Sequence, residues 1–249
     1  MAVFRREKAP LAPRVVGRAG MGLESAGWAA SEGAAAAGRK GELRTASELH
    51  KLLLAGGSGP TVMHDLMLPV RGVRANIDHV VVSGRDVWLL DSKFWRPGTY
   101  WTFRHHTRRG WEKFASGDKQ TYLMAYESLT GLLAANNVRA KVHRPVLVVW
   151  SSSGHREPNL VWYRPKGAKT MAGGQLARFC QRARKPAAAD IVWALARLAT
   201  DKTALLDAQA SGGQHANRQP VRGPVLDVPE DWLPGADEEM PGTGTDGWS

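Results

Sequence analysis

The chain has 249 residues and a net charge of +11, and 43% of its residues are hydrophobic. This length and apolar content are enough for one full-sized domain with a core, so the composition excludes a wholly disordered chain. The charge is uneven: residues 209–249 hold seven acids and two bases, which leaves +16 for residues 1–208. A body this basic attracts polyanions, so nucleic acid is the predicted partner. A ribosome-associated role, or charge that is merely tolerated, is the alternative.

Cysteine content and hydropathy indicate the cellular compartment that we expect for this protein. Cys180 is the only cysteine, so an internal disulfide is excluded and a cysteine-based zinc site is not expected. The basic N-terminal segment has no continuous apolar stretch of the kind found in secretory signals. No apolar run approaches the roughly 18 residues that span a bilayer. We therefore expect a cytoplasmic protein with no membrane partner, whose oligomeric state the sequence leaves open.

Helical and strand periodicities follow one another along the chain and predict an α/β fold. Residues 1–38 form a basic, Ala- and Gly-rich arm, flexible over residues 1–20, and a helix begins at Gly41. In order, the later elements are strands at 61–68, 74–82, 86–93 and 99–105, a helix at 116–136, strands at 145–150 and 160–163, and helices at 175–184 and 187–202. The predicted core is a central mixed β-sheet flanked by helices, in the order α-β-β-β-α-β. It occupies residues 39–165, followed by a helical extension at 166–208 and a disordered acidic tail at 209–249.

The segment 77–93 carries the strongest local signal. Two β-rich runs flank Gly84, and glycine at this position predicts a two-residue type II′ turn. The register set by that turn places Asp78 directly opposite Asp91, with their Cβ atoms roughly 4.5–5.5 Å apart. Lys93 projects from the same face, because side chains alternate along a strand.

Two carboxylates this close repel each other, and each raises the pKa of the other. A divalent cation relieves the repulsion, and Mg²⁺ is the predicted ion, with Mn²⁺ as an alternative. Lys93 would orient or deprotonate the attacking water and stabilise charge on the phosphate. The alternative is a surface hairpin with an ordinary ion pair. Against it, the same face carries four apolar residues: Val80, Val82, Val87 and Leu89.

Glu42 adds a third carboxylate to this prediction. It aligns with Ala46, Leu49 and Leu53 on the core-facing stripe of the first helix, at the N-terminal end. As a third acid converging on the hairpin, it would complete a metal site. The alternative is a first-turn acid that the helix dipole favours.

Four segments together resemble a known family: Arg39-Lys40-Gly41-Glu42, His64-Asp65-Leu66, Ala75-Asn76-Ile77-Asp78-His79-Val80-Val81-Val82 and Leu89-Leu90-Asp91-Ser92-Lys93-Phe94-Trp95. They resemble the nuclease-related domain, NERD, which is grouped with the PD-(D/E)xK, or restriction-endonuclease-like, superfamily. The likeness spans about residues 40–133. The joined Asn-Ile-Asp-His and Asp-x-Lys blocks are specific, whereas Gly-Glu by itself is a weak signal.

The resemblance implies a role for each matching residue. Asp78, Asp91 and Glu42 would be the metal ligands, Lys93 the catalytic lysine, and Gln120 the glutamine often found early in the next helix. For Gln120 an exposed polar residue in a first helical turn is the alternative. Ile77 stands where the superfamily has its nominal proline, which is usual within the NERD group.

The segment 95–113 interleaves aromatic and basic residues. Aromatic faces among guanidinium groups suit a groove that follows a nucleic-acid backbone and stacks its bases. The predicted contacts are Arg96, Trp101, Arg104, Arg108 and Arg109. The alternative is an edge strand whose aromatic side chains pack on the core while its charges face water.

The predicted function is Mg²⁺-dependent hydrolysis of phosphodiester bonds, with DNA as the expected substrate and RNA not excluded. Two alternatives stay open. One is a non-catalytic nucleic-acid-binding module that retains the nuclease fold. The other is an adaptor whose acidic tail contacts a basic partner or folds onto the basic body of its own chain.

Overall fold

The computed structural model describes residues 12–21, 32–53, 59–68, 75–118, 121–201 and 203. The strands are β1 (Val15–Val16), β2 (Thr61–Met67), β3 (Asn76–Ser83), β4 (Asp86–Trp95), β5 (Thr99–Phe103), β6 (His106–Arg109), β7 (Glu112–Lys113), β8 (Lys141–Val142), β9 (Val146–Ser151), β10 (Asn159–Trp162) and β11 (Lys169–Ala172). The helices are α1 (Glu32–His50), α2 (Thr121–Ala135), α3 (Leu176–Arg182) and α4 (Ala189–Ala196). Short 3-10 turns lie at Lys51–Leu53, Ala115–Gly117 and Gly173–Gln175.

Seven strands form a mixed central sheet in the order β1-β2-β3-β4-β9-β11, with β8 beside β4. The pairs β2–β3 and β3–β4 are antiparallel, and β9 runs parallel to both β4 and β11. The run VLVV at the start of β9 is buried, as expected for a central strand covered on both faces. The predicted α/β fold with a mixed sheet flanked by helices is confirmed.

Helices cover both faces of this sheet, and the alternation of β3 and β4 divides their side chains between two cores. Val80 and Leu89 pack with Leu129 of α2 and Leu195 of α4. On the opposite face, α1 and α3 cover a second core that includes Leu49, Val81, Leu90 and Leu176. Because Asp91 alternates with Leu90, which packs in this second core, Asp91 belongs to the α2 side of the sheet.

A second sheet of four strands, in the order β10-β5-β6-β7, lies beyond the end of β4. An aromatic cluster joins it to the central sheet: Trp95, Tyr100, Tyr122 and Tyr163 pack with Leu147 and Val149. The ring centroids of Trp95 and Tyr100 are 4.9 Å apart. The inner face of the small sheet is therefore fixed against the ends of β4 and β9.

The structure differs from the sequence-based element boundaries at positions where pairing between distant segments determines where an element begins or ends. Part of the predicted flexible arm is ordered, since β1 pairs with β2 and Val62 N donates to Arg14 O at 2.9 Å. Helix α1 begins at Glu32 rather than Gly41, and the strand predicted at 99–105 ends at Phe103. Strand β11 was not predicted and extends the central sheet beside β9. Local periodicity carries no information about such distant partners.

The predicted acidic tail at 209–249 lies outside the described residues, and the division into four segments stays a prediction. None of the helices in the described parts of the chain has the length and apolarity needed to cross a membrane.

Candidate active site

The β3–β4 turn fixes the register of the hairpin. Gly84 has φ +61, whereas Arg85 is not among the described residues with positive φ, which is the signature of a type II′ turn. Pairing then runs from Ser83–Asp86 to His79–Leu90. The predicted turn and this register are confirmed, and Asp78 and Asp91 lie one position beyond the last pair.

The chain segment before α4 clamps this turn from outside the hairpin. Gly84 N donates to Pro186 O at 3.1 Å, and Ala188 N donates to Gly84 O at 2.9 Å. Arg85 forms an ion pair with Asp190, with Nη2 and Oδ2 2.6 Å apart. The register of the hairpin thus depends on residues far along the chain.

Asp78 and Asp91 each have one cationic or N–H partner at the end of the hairpin. Asp78 Oδ2 accepts a hydrogen bond from Ser92 N at 2.7 Å. Asp91 Oδ2 lies 2.6 Å from Lys93 Nζ, and both side chains are largely covered, with exposed fractions of 20% and 29%. Burial raises the pKa of Asp78 well above its ordinary value, and the charge of Asp91 adds to the rise. The two carboxylates therefore repel each other, as the register predicted.

Lys93 carries the balancing charge. Burial lowers its pKa, but the carboxylates of Asp91, Asp78 and Glu42 outweigh burial and the net shift is upward. The lysine is accordingly held as an ammonium that forms an ion pair with Asp91. A further negative charge on the same face of the sheet would be attracted to this ammonium.

Glu42 reaches the same group from α1. Gly41 lies in van der Waals contact with β4, where a Cβ would be 3.4 Å from the carbonyl carbon of Lys93. Burial raises the pKa of Glu42 to about 7, and the charges of Asp65 and Asp91 add to the rise. The backbone of Gly20 and the ammonium of Lys93 act in the opposite direction. The predicted acids and the lysine therefore share one electrostatic neighbourhood.

Asp65 is a member of this neighbourhood that the sequence prediction did not assign. It lies between the pairs His64–His79 and Leu66–Ile77, so its position across the sheet is that of Asp78. Its φ of +52 interrupts β2, a conformation that aspartate tolerates better than most residues. The sequence signal was the His-Asp-Leu block of the resemblance, which carried no role.

The backbone and the side chain of Asp65 are both engaged. Asp65 Oδ1 accepts a hydrogen bond from Asn76 Nδ2 at 2.6 Å. Its carbonyl oxygen accepts from Thr200 N at 3.1 Å and from Thr200 Oγ1 at 3.0 Å. These contacts hold the irregular strand residue in one conformation beside Asp78.

The sequence analysis also did not predict a chain of hydrogen bonds that is buried except at His50. His50 Nε2 lies 2.9 Å from His64 Nε2, and His64 Nδ1 lies 2.7 Å from His79 Nδ1. His79 Nε2 lies 3.1 Å from Ser92 Oγ, which donates to Thr45 Oγ1 at 2.7 Å. The chain runs from α1 through β2 and β3 to the residue whose amide binds Asp78.

The histidines of this chain are neutral in the fold. Burial lowers the pKa of His64 from 6.5 to about 3, and the charge of His50 lowers it further. Burial likewise holds the pKa of His79 well below its ordinary value. A neutral imidazole offers one donor and one acceptor, so each link can be satisfied in a single direction along the chain.

The described residues contain no group of three or more His, Cys, Asp or Glu side chains arranged to hold a metal ion. Glu42 thus stands near Asp78 and Asp91 without forming a three-ligand cage with them. Two carboxylates completed by water and phosphate oxygens are, however, a usual Mg²⁺ donor set. Buried acids that outnumber their one lysine suit an added cation, so the donor chemistry fits the predicted ion. Gln120 lies outside the described residues.

The predicted nucleic-acid contacts fall on two different surfaces. Arg108 pairs in register with Trp101, and their side chains share the outer face of the small sheet with Arg104 nearby. Arg109 points to the inner side, where it pairs with Glu112 at 3.0 Å. Arg96 and Arg109 line an open cleft of about 890 Å³ together with Arg156 and Trp111.

Comparison with known proteins agrees with the resemblance read from the motifs. Residues 37–149, a little under half of the chain, match the nuclease-related domain, NERD. No curated protein and no solved structure matches the chain. The matched segment contains α1 from its middle, the β3–β4 hairpin and β9, and so includes every described residue of the site. Residues 37–149 are therefore similar to the nuclease-related domain family.

Proposed function

We propose that this protein is a metal-dependent nuclease that hydrolyses phosphodiester bonds in DNA. The observation that carries the proposal is the end of the β3–β4 hairpin. There the Lys93 ammonium lies 2.6 Å from Asp91, and the charges of both act on the half-buried Asp78. The family match supports a nuclease-related role, and the catalytic step is the part that we propose.

The carboxylates of Asp78 and Asp91 would hold Mg²⁺ or Mn²⁺, with Glu42 as the helix-borne acid beside them. A divalent ion at such a site supplies a Lewis acid for the phosphate and lowers the pKa of bound water. The fit rests on the donor chemistry, because hard cations prefer carboxylate oxygens, water and phosphate.

The side chains of the site have distinct tasks in this proposal. The amide of Ser92 fixes Asp78, so this carboxylate keeps one orientation without a cation. Lys93 donates hydrogen bonds towards the scissile phosphate and stabilises the charge that builds up on it. Asp91 holds the ammonium in position for that role. Gln120 keeps the role that the resemblance implies.

A cleavage panel tests the proposal. Full-length protein with Mg²⁺ or Mn²⁺ is offered single-stranded, duplex, flapped and branched DNA, and RNA. Cleavage of at least one substrate is expected, and Lys93→Ala should lower its rate by about 10²–10³-fold because a positioned donor to the developing charge is lost. Lys51→Ala is the matched control, since Lys51 is exposed and pairs with Glu48 away from the site.

Two results would contradict the enzyme. One is absence of cleavage throughout the panel, and the other is cleavage that continues unchanged in both Lys93→Ala and Asp91→Asn. The second result would show that a contaminating nuclease cuts the substrate.

A non-catalytic nucleic-acid-binding module is the second candidate. The observation that favours it is the lack of a three-ligand group among the described side chains. Thermal unfolding separates the two functions, because an ion that binds only the folded state raises Tm. A nuclease should show a Mg²⁺-dependent rise that Asp78→Asn removes, whereas a binding module should show none.

The proposal includes a cytoplasmic location. Its support is Cys180, the one cysteine of the sequence, which is a buried free thiol as expected for a reducing compartment.

A further inference from the structure

The small sheet has an outer face that no described element covers. Side-chain alternation places Tyr100, Thr107 and Arg109 on the inner side, towards the aromatic cluster. The outer face comprises Trp101, Phe103, Arg108, Lys113 and Trp162, with Arg104 and Trp111 in the adjoining turns. Trp162 belongs to it because it is the register partner of Trp101 across β10 and β5.

Large aromatic side chains on the outer face are open to solvent. Trp111 is 87% exposed, Trp162 66% and Phe103 53%. Neighbouring rings define a continuous surface, since the centroid of Trp101 lies 6.2 Å from those of both Phe103 and Trp111. A contiguous apolar patch of this kind on a soluble domain commonly marks a binding surface.

Guanidinium groups lie over two of these rings. The Arg108 Cζ atom is 5.8 Å from the Trp101 ring centroid, and the Arg104 Cζ atom is 5.3 Å from that of Phe103. Arg104 and His105 form the β5–β6 turn, and both have positive φ, +46 and +71. Positive φ at both central residues is type I′ geometry, which the dipeptide Asn-Gly adopts most readily. Here arginine and histidine occupy the two positions, so the turn is strained, and it places a cation beside an exposed ring.

No carboxylate opposes these cations within the described strands of the small sheet. Glu112 is the one acid in those strands, and it pairs with Arg109 on the inner side. The neighbouring Asp118 is engaged by the Thr107 amide, with N and Oδ1 2.6 Å apart, and by His106, with Nδ1 and Oδ2 3.6 Å apart. The outer face is therefore both aromatic and cationic, which is the complement of an anionic chain that carries flat groups.

We propose that this outer face binds a single-stranded segment of nucleic acid. Unpaired bases stack on the exposed rings of Trp111, Trp162 and Phe103, while Arg104, Arg108 and Lys113 contact the phosphates. A duplex is a poor fit because its base faces are already stacked on one another. The inference deepens the proposed function by naming an unpaired strand beside the site as the form of the substrate.

Arg96 and Arg109 are excluded from this surface. They line the cleft at the inner edge of the small sheet, near the end of β4, and Trp111 lies at the border between this cleft and the outer face. The five contacts predicted from the sequence are thus divided, and Arg109 serves as an internal matched control for Arg108.

The test measures binding apart from cleavage. Fluorescence anisotropy with a labelled oligothymidylate and with a labelled duplex is performed on the full chain carrying Lys93→Ala, in EDTA. The single strand is expected to bind more tightly. Trp111→Ala with Trp162→Ala should weaken it by roughly tenfold or more, because each base–aromatic stack is lost. Trp111→Phe with Trp162→Phe should retain the affinity, since an aromatic face remains.

Charge and position controls sharpen the test. Arg108→Ala should lower the slope of log Kd against log salt by about 0.7, as expected for one phosphate contact to a single strand. Met67→Ala removes a side chain of similar exposure, 52%, from a distant strand and should change nothing.

Three outcomes would overturn the inference. They are equal affinity of the alanine variant and its parent, tighter binding of the duplex, and conversion of a dimer to a monomer by the same substitutions. The third would identify a second copy of this chain as the occupant. Since the assay contains no metal, failure of the proposed nuclease activity would leave a positive binding result intact.

Discussion

The two sheets of this protein differ in how far their polar and aromatic side chains are exposed to solvent. In the central sheet, His64, His79 and Asp65 are buried and bonded to partners on other elements, and Asp78 and Asp91 are half-buried. On the small sheet, tryptophans and arginines face solvent and contact mainly one another. Buried polar networks fix geometry at high cost when one partner is lost, whereas exposed side chains can adapt to a flexible ligand. Under the two proposals, chemistry and substrate capture would occupy separate, adjoining parts of the molecule.

The aromatic cluster is the physical link between these two parts. Tyr122 of α2 packs in it beside Trp95, and burial raises the pKa of Tyr122 to about 12, with the charge of Asp91 adding to the rise. One side of the cluster therefore borders the carboxylates while the other supports the small sheet. A strand held on the small sheet would lie next to the site.

The largest expected effect on stability concerns the buried histidine chain. His79→Leu should lower the free energy of unfolding by roughly 2–4 kcal/mol, because His64 and Ser92 each lose a buried hydrogen-bond partner. Urea denaturation at neutral pH measures the change. His106→Leu, a histidine in a strand of the small sheet, should change it by less than about 0.5 kcal/mol. Equal losses in the two variants would remove the distinction between the two regions.

The pH dependence of stability should also distinguish the central sheet from the small sheet. His64 is neutral in the fold and has a pKa of about 3, against 6.5 in an ordinary environment. Stability is therefore complete above pH 6.5 and is lost as the pH falls towards 3, by about 2 kcal/mol from pH 7.5 to pH 5. Urea midpoints across this range measure the loss, and His64→Gln should reduce it.

Exposed His155 provides the control for the pH series. His155→Gln should leave the pH dependence unchanged, because its side chain faces solvent. If His64→Gln and the wild type lost stability in parallel on acidification, the assignment to His64 would be wrong.

The smallest effect is expected at the most exposed ring. Trp111→Ala should change the free energy of unfolding by less than about 0.5 kcal/mol, because the indole is 87% exposed and little surface is uncovered. Thermal and urea unfolding of the same sample used for anisotropy provide the measurement. A large loss of stability would show that Trp111 supports the fold, and the weaker DNA binding would then have a structural cause.

The sequence predicted the geometry of the hairpin because that geometry is local. One glycine at a two-residue turn determines which side chains face each other, and alternation brings Asp78, Asp91 and Lys93 to one face. Glu42 was found for a similar reason, since helical spacing aligns it with buried Ala46 and Leu49. Each of these inferences needed only neighbours within one element or one hairpin.

Other features depend on partners that no short window of sequence contains. Asp65 could be assigned to the site only from the pairing of β2 with β3, because that pairing places it across from Asp78. The histidine chain joins residues from a helix and two strands, so spacing along the chain gave no signal. The division between Arg108 and Arg109 required the actual register of β5 and β6. The sequence identified these two arginines without showing that they lie on opposite faces of the small sheet.

The clamp on the β3–β4 turn has a consequence for how the protein is made. Synthesis runs from the N-terminus, so the hairpin emerges long before Pro186, Ala188 and Asp190, which hold its turn, and before Thr200, which holds Asp65. The site of the nascent chain therefore stays incomplete until residues near 200 have left the ribosome. A fragment limited to residues 37–149 would lack these contacts, and we expect it to expose apolar strands rather than fold alone.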